Sequence, residues 1–397
     1  MFRVFKYRNF RLFFPGLIIS QIGIWVQNVA ISWLVYEVTK SAFITGFTTF
    51  ISTLPLFFFT PVAGVLIDKF NKHKFLLTLQ ILFLLQALMI SLLFYTDTIR
   101  LPNIILSGLF LNTLVSIDGP LRQSLFINLV DNKKDLTNAI SINSSCFNVV
   151  KLIGPAMSGL IIANFGVGIC FIINFIFILP NIILVSLMKI EDNIDKIKKP
   201  FLKDFKDGIK YVVNTPKIYY LQLFLALFCF IIMIYPMLMP IFTKDVYNAN
   251  ADILGYLMAS IGFGALVSSL LIASKKDNKN LKIIMIGACL ALGINLILFG
   301  VIKNVYFSLF IAFLIGLCIT GFITPQISLL QSVINDSLRG RVMSYNTMAI
   351  LGMASLGTVF SGTVTQYIGI LNTFILYGII LITLAILFYN KLKNVNY

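Results

Sequence analysis

Four side chains near the N-terminus, three polar and one aromatic, have the spacing of a single contact surface on one helix. They follow the i, i+4, i+7 and i+11 pattern of one helical face: Gln21, Trp25, Asn28 and Ser32. A polar stripe facing lipid would be costly, so we expect this face to point into a helix bundle or towards water. Two uses remain open at this point: hydrogen bonding between packed helices, or contact with a small-molecule substrate.

Further weakly polar side chains occur within other apolar segments. Together with the first stripe they predict a weakly polar, aromatic cavity between two halves of the protein, whose mostly neutral side chains disfavour a strongly anionic metabolite. The additional candidates are Asn112, Ser116, Asn148, Gln222, Tyr235, Thr320, Thr324 and Gln326.

Few ionisable residues fall within the apolar segments. Asp118 and Arg122 are four residues apart on one predicted helix, a spacing that favours an ion pair. Lys151 lies inside an apolar segment, where it needs a partner or loses its proton. Glu37 lies near the outer end of the first segment. Asp118 and Glu37 are therefore the candidates for proton coupling, with structural pairing of Asp118 as the alternative.

The sequence shows no residue pattern typical of ATP binding, metal binding or enzyme catalysis. The sequence has no Walker A motif, and its single histidine, His73, lies in a basic loop without companions that could bind a metal. The five cysteines fall in apolar runs, and they form neither a disulfide framework nor a zinc pattern. We expect no enzyme activity, no cofactor, no metal site and no nucleic-acid partner.

Composition identifies the elements that position these residues. Of 397 residues, 58% are hydrophobic and 12% charged, whereas soluble domains carry about 25% charged residues. Each membrane helix needs about 20 apolar residues. The chain is therefore predicted to be an all-α polytopic membrane protein with twelve transmembrane helices, near 10–36, 43–67, 75–95, 101–117, 137–163, 167–188, 218–243, 253–273, 282–302, 305–330, 341–367 and 370–390.

The basic residues predict the orientation of these helices. Of 31 Lys and Arg residues, 26 fall in loops on one side, so the positive-inside rule places both termini in the cytoplasm. The longest polar stretch predicts three parts: a six-helix bundle over 1–188, a cytoplasmic linker with a short amphipathic helix over 189–217, and a second six-helix bundle over 218–397.

The two bundles show signs of duplication. Pro120 and Asp131 recur 205 residues later, and Gly154, Gly159 and Gly166 recur after 203 residues as Gly357, Gly362 and Gly369. Transporters often contain such internal repeats. We therefore expect two pseudo-symmetric halves.

The loop between the second and third segments carries a glycine, an acid and a basic cluster: Gly64, Asp68, Lys69, Lys72 and Lys74. Such a loop could simply follow the positive-inside rule. The order of these residues, however, resembles the cytoplasmic loop signature of the major facilitator superfamily. In that family the loop helps to latch two halves together, which makes Asp68 the candidate latch residue.

The fifth segment contains a second motif, Lys151, Gly154, Pro155 and Gly159. Proline bends a helix, and glycines with this spacing permit close packing. Ordinary packing would account for Gly159 alone. The whole motif is similar to the one that exporters of the superfamily carry on this helix, which favours efflux.

Four longer stretches narrow the resemblance. They are residues 7–12, 32–39, 205–212 with Pro216, and 338–344, and they are similar to the enterobactin-exporter and macrolide-efflux branch of the superfamily. That branch often places an acid after the glycine of helix one, but here Ile24 follows Gly23. The departure puts proton coupling at that position in doubt.

The resemblance implies a major facilitator fold and a secondary active exporter of an amphipathic small molecule, a siderophore or a drug-like compound. It would work by alternating access in the bacterial cytoplasmic (inner) membrane, with H⁺ as coupling ion and as a monomer within the lipid bilayer. The alternatives are an uptake carrier for a metabolite or siderophore, a lipid flippase, and a membrane sensor that transports nothing.

Overall fold

A computed structural model gives the architecture over residues 2–67, 70–130, 133–189, 210–232, 235–273, 280–334 and 339–393. Within these ranges the side chains of some helical residues, Asn148 and Lys151 among them, are not described. The described residues form helices joined by short turns, without strands. Helices satisfy their own backbone hydrogen bonds, as a chain in lipid must.

Among the described residues, a short 3₁₀ helix, Phe2–Lys6, precedes thirteen α-helices. In chain order these are α1 Arg8–Thr39, α2 Ala42–Ile67, α3 Lys72–Tyr95, α4 Leu101–Leu129, α5 Lys133–Phe165, α6 Val167–Ser186, α7 Pro216–Ile232, α8 Tyr235–Tyr247, α9 Ala251–Ala273, α10 Leu281–Val301, α11 Val305–Val333, α12 Arg339–Ile368 and α13 Ile370–Lys393.

The predicted membrane helices are largely confirmed. Eleven helical stretches in the described part of the chain are long and apolar enough to cross a membrane, with Pro216–Tyr247 counted as one span. The fifth predicted segment lies within the 33-residue helix Lys133–Phe165. Several of its side chains lie outside the description, and the apolar stretch found among its described residues is Ile153–Phe165. The seventh predicted helix is described as α7 and α8. The proposed amphipathic helix of the linker lies mostly outside the described residues.

Packing divides the chain into two units. One contains Met1–Val38 and Ile51–Lys198, and the other contains Thr39–Phe50 and Lys199–Tyr397. The sequence-based division assigned all of α2 to the first bundle. By packing, the first turns of α2 belong instead to the second unit, because they contact α12.

The duplicated glycines occupy equivalent turns. Gly166 lies alone between α5 and α6 with φ +81°, and Gly369 lies alone between α12 and α13 with φ +80°. Each donates its N–H to a carbonyl four residues earlier at 3.0 Å. A left-handed backbone is readily adopted only by glycine. The same turn therefore requires the same residue in both halves, as the internal repeat predicted.

Buried aromatic rings pack in both units. In the second unit Phe228 stacks on Phe322 at 3.8 Å and Phe242 on Phe299 at 4.4 Å between ring centroids, and in the first unit Phe10 stacks on Phe14 at 5.3 Å. The first unit also buries a network of amide side chains, as described below. Polar side chains can be buried at this depth because they hydrogen-bond to one another.

The N-terminal segment docks on the first turn of α5. The Tyr7 hydroxyl donates to Asp135 Oδ2 at 2.8 Å, and Lys6 Nζ lies 3.0 Å from the same oxygen. These contacts, first with Tyr7 and then with Asp135, raise the pKa of Lys6 above its usual value. Because Lys6 is exposed, the ion pair itself adds little stability.

The next two residues hold the end of α6. Arg8 donates to the Leu187 carbonyl at 3.2 Å, while Asn9 bonds twice to the backbone of Lys189, at 2.8 and 3.2 Å. Helix ends leave carbonyls without intrahelical partners. The opening motif of the sequence thus has a structural use: it fixes the chain where α6 ends.

Candidate functional site

The predicted stripe on α1 lies along the seam between α1 and α5. A Cβ added to Gly154 would lie 2.5 Å from the Cβ of Trp25, so the backbones approach closely there. One turn further on, the Ser158 hydroxyl donates to the Val26 carbonyl at 3.0 Å. The exporter-like glycine of α5 therefore packs directly against the aromatic member of the stripe.

The other members of this stripe differ in exposure. Gln21 is half-buried beside α5, Asn28 is exposed, and the Ser32 hydroxyl donates to the Asn28 carbonyl of its own helix at 3.2 Å. None of these three amide or hydroxyl groups bridges two helices through a described hydrogen bond. The stripe therefore remains a candidate for substrate contact.

A second stripe on α1 was not predicted from the sequence. Gly16, Ser20, Gly23 and Gln27 have the same i, i+4, i+7, i+11 spacing, five residues before the first stripe. At 100° per residue the two stripes are about 140° apart around the helix. This second stripe is buried, and it faces α3 and α6.

On this buried face, side chains of four helices hydrogen-bond to one another; we call this group the first rung. Asn174 of α6 donates to Gln27 Oε1 at 2.7 Å, Gln27 donates to Gln86 Oε1 of α3 at 3.3 Å, and Gln86 donates to Ser107 of α4 at 2.7 Å. All four side chains are buried. Gly23 leaves room for Asn174, since an added Cβ would lie 2.7 Å from its Oδ1.

The second rung, seven residues away on both α1 and α6, repeats the arrangement. Asn181 donates to Gln80 Oε1 of α3 at 2.7 Å and to the Ser20 hydroxyl at 3.2 Å. Here Gly16 makes the room, because an added Cβ would lie 2.8 Å from Asn181 Oδ1. Gln80 in turn donates to Asp118 Oδ1 at 3.2 Å. The rung thus ends at a carboxylate.

Asp118 and Arg122 form the ion pair that their spacing predicted. Arg122 Nε lies 2.6 Å from Asp118 Oδ2, and both side chains are about 5% exposed. The guanidinium lies 5.8 Å from the Phe13 ring, and its two terminal nitrogens are buried without a described hydrogen-bond partner. A buried pair of this kind is costly to desolvate. Its retention in an apolar bundle makes it a candidate functional group.

The candidates of the second unit are mostly engaged in helix packing. Gln326 of α11 is fully buried and donates to Asn346 Oδ1 of α12 at 3.1 Å and to the Leu221 carbonyl at 3.4 Å. Gln222 of α7 donates to the Val342 carbonyl at 3.4 Å. These contacts favour the interhelical alternative over substrate contact. Thr320, Thr324 and Tyr235 are half-buried.

Two of the remaining candidate side chains hydrogen-bond within their own helix. Asn112 donates to the Gly108 carbonyl and Ser116 to the Thr113 carbonyl, both within α4. Glu37 is exposed near the end of α1. Gly159 is buried in α5, and Pro155 lies inside that helix. The side chains of Asn148 and Lys151 lie outside the description.

Only part of the predicted latch can be located. Gly64 lies in the last turn of α2, whereas Asp68 and Lys69 lie outside the described residues. Lys72 is the first residue of α3, and Lys74 is exposed. The Lys74 N–H donates to the Asn71 side chain at 2.8 Å, which caps α3.

The first turns of α2 contact α12 closely. A Cβ on Gly46 would collide with the Thr358 carbonyl, and one on Gly362 would lie 2.6 Å from the Ala42 carbonyl. Gln366 Oε1 accepts from the Ser41 hydroxyl at 3.2 Å and from the Ala42 N–H at 3.1 Å. A side chain of α12 therefore caps the N-terminus of α2.

Apolar helices in two repeated halves, with polar faces turned into the protein, define a multi-pass membrane transporter of the major facilitator class. The sequence model of the family described as transmembrane secretion effector matches residues 2–396, and the chain belongs to this family. Its members are transporters of small molecules in lipid bilayers rather than enzymes.

Curated relatives cover nearly the whole chain. The staphyloferrin A transporter of Staphylococcus aureus is 26% identical over 96% of this chain and 97% of its own length. Macrolide efflux protein A of Streptococcus pyogenes is 22% identical over 96% of each chain. A bacterial homologue of the iron transporter ferroportin, solved in an inward-facing state, is 16% identical with a TM-score of 0.74 over 96% of this chain and 98% of that one. The structural likeness confirms the fold.

Proposed function

We propose that this transporter exports an amphipathic small molecule, a siderophore or a macrolide-like compound, across the bacterial cytoplasmic membrane. The observation that carries the proposal is the contact between Gly154 and Trp25. It brings the exporter-type motif of α5 onto the polar, partly exposed stripe of α1. The names of two full-length relatives, a siderophore transporter and a macrolide efflux protein, support the same substrate classes.

Proton coupling through Asp118 forms the second part of the proposal. The carboxylate receives hydrogen bonds from Gln80 and Arg122, on α3 and α4, and through Asn181 it is linked to α1 and α6. Protonation would remove the charge that holds Arg122 and weaken a bond shared by four helices. Loading a proton at this carboxylate would therefore alter the packing of the first unit. Glu37 is the second candidate.

Alternating access requires contacts that form in one state and break in another. We assign one such contact to Gln366, which caps the first turn of α2 through Ser41 and Ala42. The positive-inside rule places this contact at the outer face. The loop with Gly64, Asp68, Lys69, Lys72 and Lys74 would supply the cytoplasmic latch, with both termini on that side.

Transport into everted membrane vesicles tests export directly. Erythromycin and staphyloferrin A serve as probes, in respiring vesicles with and without the protein. We expect accumulation of at least one probe that an uncoupler abolishes. Accumulation only in right-side-out vesicles would overturn export in favour of uptake. Transport that persists with an uncoupler but requires ATP would overturn secondary coupling.

Matched neutralisations test the coupling residue. Asp118→Asn and Glu37→Gln each remove one charge, and Asp97→Asn provides the control, because Asp97 is exposed in a turn with φ +53°, which asparagine also tolerates. We expect Asp118→Asn to reduce uncoupler-sensitive transport and Asp97→Asn to leave it unchanged. If neither Asp118→Asn nor Glu37→Gln reduces it, coupling at these residues is wrong.

A further inference from the structure

A cavity of about 360 Å³ opens at one end of the second unit, in the turns where α8, α10 and α12 end and α11 and α13 begin. Two charged side chains line it: Asp245 of α8, and Lys303 of the turn between α10 and α11. The other lining residues are Val246, Ile368, Gly369, Ile370, Leu371 and Asn372. Small-molecule sites occupy about 300–1,000 Å³, so the cavity is large enough for a small polar group.

Exposed tyrosines indicate that the cavity lies at the surface of the membrane. Tyr306, in the first turn of α11, is 83% exposed, and Tyr367, next to the lining residue Ile368, is 84% exposed. Tyrosine is enriched where a membrane meets water, because its ring is apolar and its hydroxyl is polar. The positive-inside rule assigns this end of the helices to the outer face. The cavity therefore lies at the depth of the outer lipid headgroups.

The two charges of the cavity are not paired with each other. The Lys303 ammonium is exposed and has no hydrogen-bond or ion-pair partner among the described residues, so it does not neutralise Asp245. Lysine binds phosphate groups as a point charge. Asp245 is exposed as well, and its carboxylate can accept hydrogen bonds from an ammonium group. One cation and one anion at separate points fit a ligand that carries both charges.

We propose that this cavity binds the headgroup of an outer-leaflet phospholipid that carries a free ammonium group, as phosphatidylethanolamine does. Lys303 pairs with the phosphate, and Asp245 accepts hydrogen bonds from the ammonium. A phosphoglycerol headgroup has no cation for Asp245. A phosphocholine headgroup has a cation, but its methyl groups leave no N–H to donate. The site therefore favours phosphatidylethanolamine over lipids with either of these headgroups.

A bound headgroup would link separate elements of the second unit. Asp245 lies near the end of α8, whereas Lys303 lies in the turn between α10 and α11. The lining residue Gly369 forms the turn between α12 and α13. Because a ligand that binds only the folded state stabilises it, phosphatidylethanolamine should stabilise this end of the second unit. The lipid site is separate from the substrate candidates of α1 and α5.

Native mass spectrometry of the full-length protein in detergent measures the affinity of individual lipids. The probes are phosphatidylethanolamine, phosphatidylglycerol and phosphatidylcholine with the same dioleoyl chains. Wild type and variant are mixed in one solution, so both meet the same free lipid concentration. Arg100→Ala is the control for Lys303→Ala, because Arg100 is an exposed basic residue that does not line the cavity. Asp97→Asn is the corresponding control for Asp245→Asn.

We expect the wild type to bind phosphatidylethanolamine more tightly than the other two lipids. Lys303→Ala should weaken binding of phosphatidylethanolamine and phosphatidylglycerol about three- to fivefold, the effect of losing one exposed ion pair. Asp245→Asn should weaken only phosphatidylethanolamine, by a similar factor, because phosphatidylglycerol has no ammonium group. Equal affinity for the three lipids would overturn the proposal. So would an equal effect of Asp245→Asn on both lipids, or a loss with Lys303→Ala no larger than with Arg100→Ala.

Soluble glycerophosphoethanolamine distinguishes a lipid site from a site for a free polar compound. It has the same headgroup but no acyl chains. We expect it to displace phosphatidylethanolamine only at much higher concentration, and displacement at equal concentration would overturn the lipid assignment. Because binding is measured without transport, a failure of export in vesicles would leave these results standing and would contradict only the proposed function.

Discussion

Gly154→Ala tests whether the close approach of α1 and α5 supports transport. The added Cβ would lie 2.5 Å from the Trp25 Cβ, about 0.9 Å short of the 3.4 Å at which ordinary contact begins. The obstructing atom is the root of the tryptophan side chain, so it can move only with the α1 backbone. Overpacking of this kind costs about 1–3 kcal/mol.

An opposing term comes from helix propensity. Alanine is favoured over glycine inside a helix by up to about 1 kcal/mol, so Gly154→Ala should change stability by roughly 0–2 kcal/mol in the unfavourable direction. Gly287→Ala is the matched control, because no described atom beyond its chain neighbours and its own helix backbone lies within 4 Å of the added Cβ. It should gain the propensity term without the clash. The two variants should therefore differ by about 1–3 kcal/mol.

Unfolding with sodium dodecyl sulfate in dodecyl maltoside micelles measures this difference, and vesicle transport measures its effect on function. We expect Gly154→Ala to unfold at lower denaturant and to transport more slowly than Gly287→Ala. If the two variants had the same unfolding free energy and the same transport rate, the argument that Gly154 serves helix approach would be refuted.

Three further substitutions probe the contacts of the two units. Asn181→Leu removes two interhelical hydrogen bonds, each worth about 0.6–1.7 kcal/mol in membranes, so it should lower the unfolding free energy more than Asn112→Leu. Equal losses of unfolding free energy would contradict a stabilising role for the hydrogen bonds of Asn181. Gln366→Ala removes the hydrogen bonds that Gln366 accepts from Ser41 and Ala42 at the start of α2, worth about 0.5–2 kcal/mol; it should increase maleimide labelling of a cysteine introduced at the exposed Phe43 in the same turn, and unchanged labelling would contradict a contact that opens here. Asn9→Ala should expose the end of α6 to faster amide hydrogen exchange. Unchanged protection of the Lys189 amide from exchange would contradict the role of Asn9 in holding this end of the helix.

The local features of the site could be predicted from sequence. Asp118 and Arg122 pair as expected because residues four apart on a helix face each other whatever the rest of the chain does. The turns at Gly166 and Gly369 are equivalent for a similar reason, since the requirement for a left-handed backbone is local.

The partners of the amides could not be predicted in this way. Two stripes on α1 have identical spacing, yet only the one ending at Gln27 is bonded to α3 and α6. The spacing of polar side chains predicted the stripe with Gln21. Gly16 and Gly23, four residues before Ser20 and Gln27, could have identified the buried stripe. These glycines leave the space that Asn181 and Asn174 fill.

By itself the sequence determined the class of protein, its all-α construction from apolar membrane helices and the resemblance to exporters. These follow from hydrophobicity, length and short motifs, which act along the chain. The tertiary structure alone decided which polar face of α1 binds other helices and which remains beside α5. That choice depends on how each helix is rotated about its axis, and rotation is set by close packing between segments far apart in sequence.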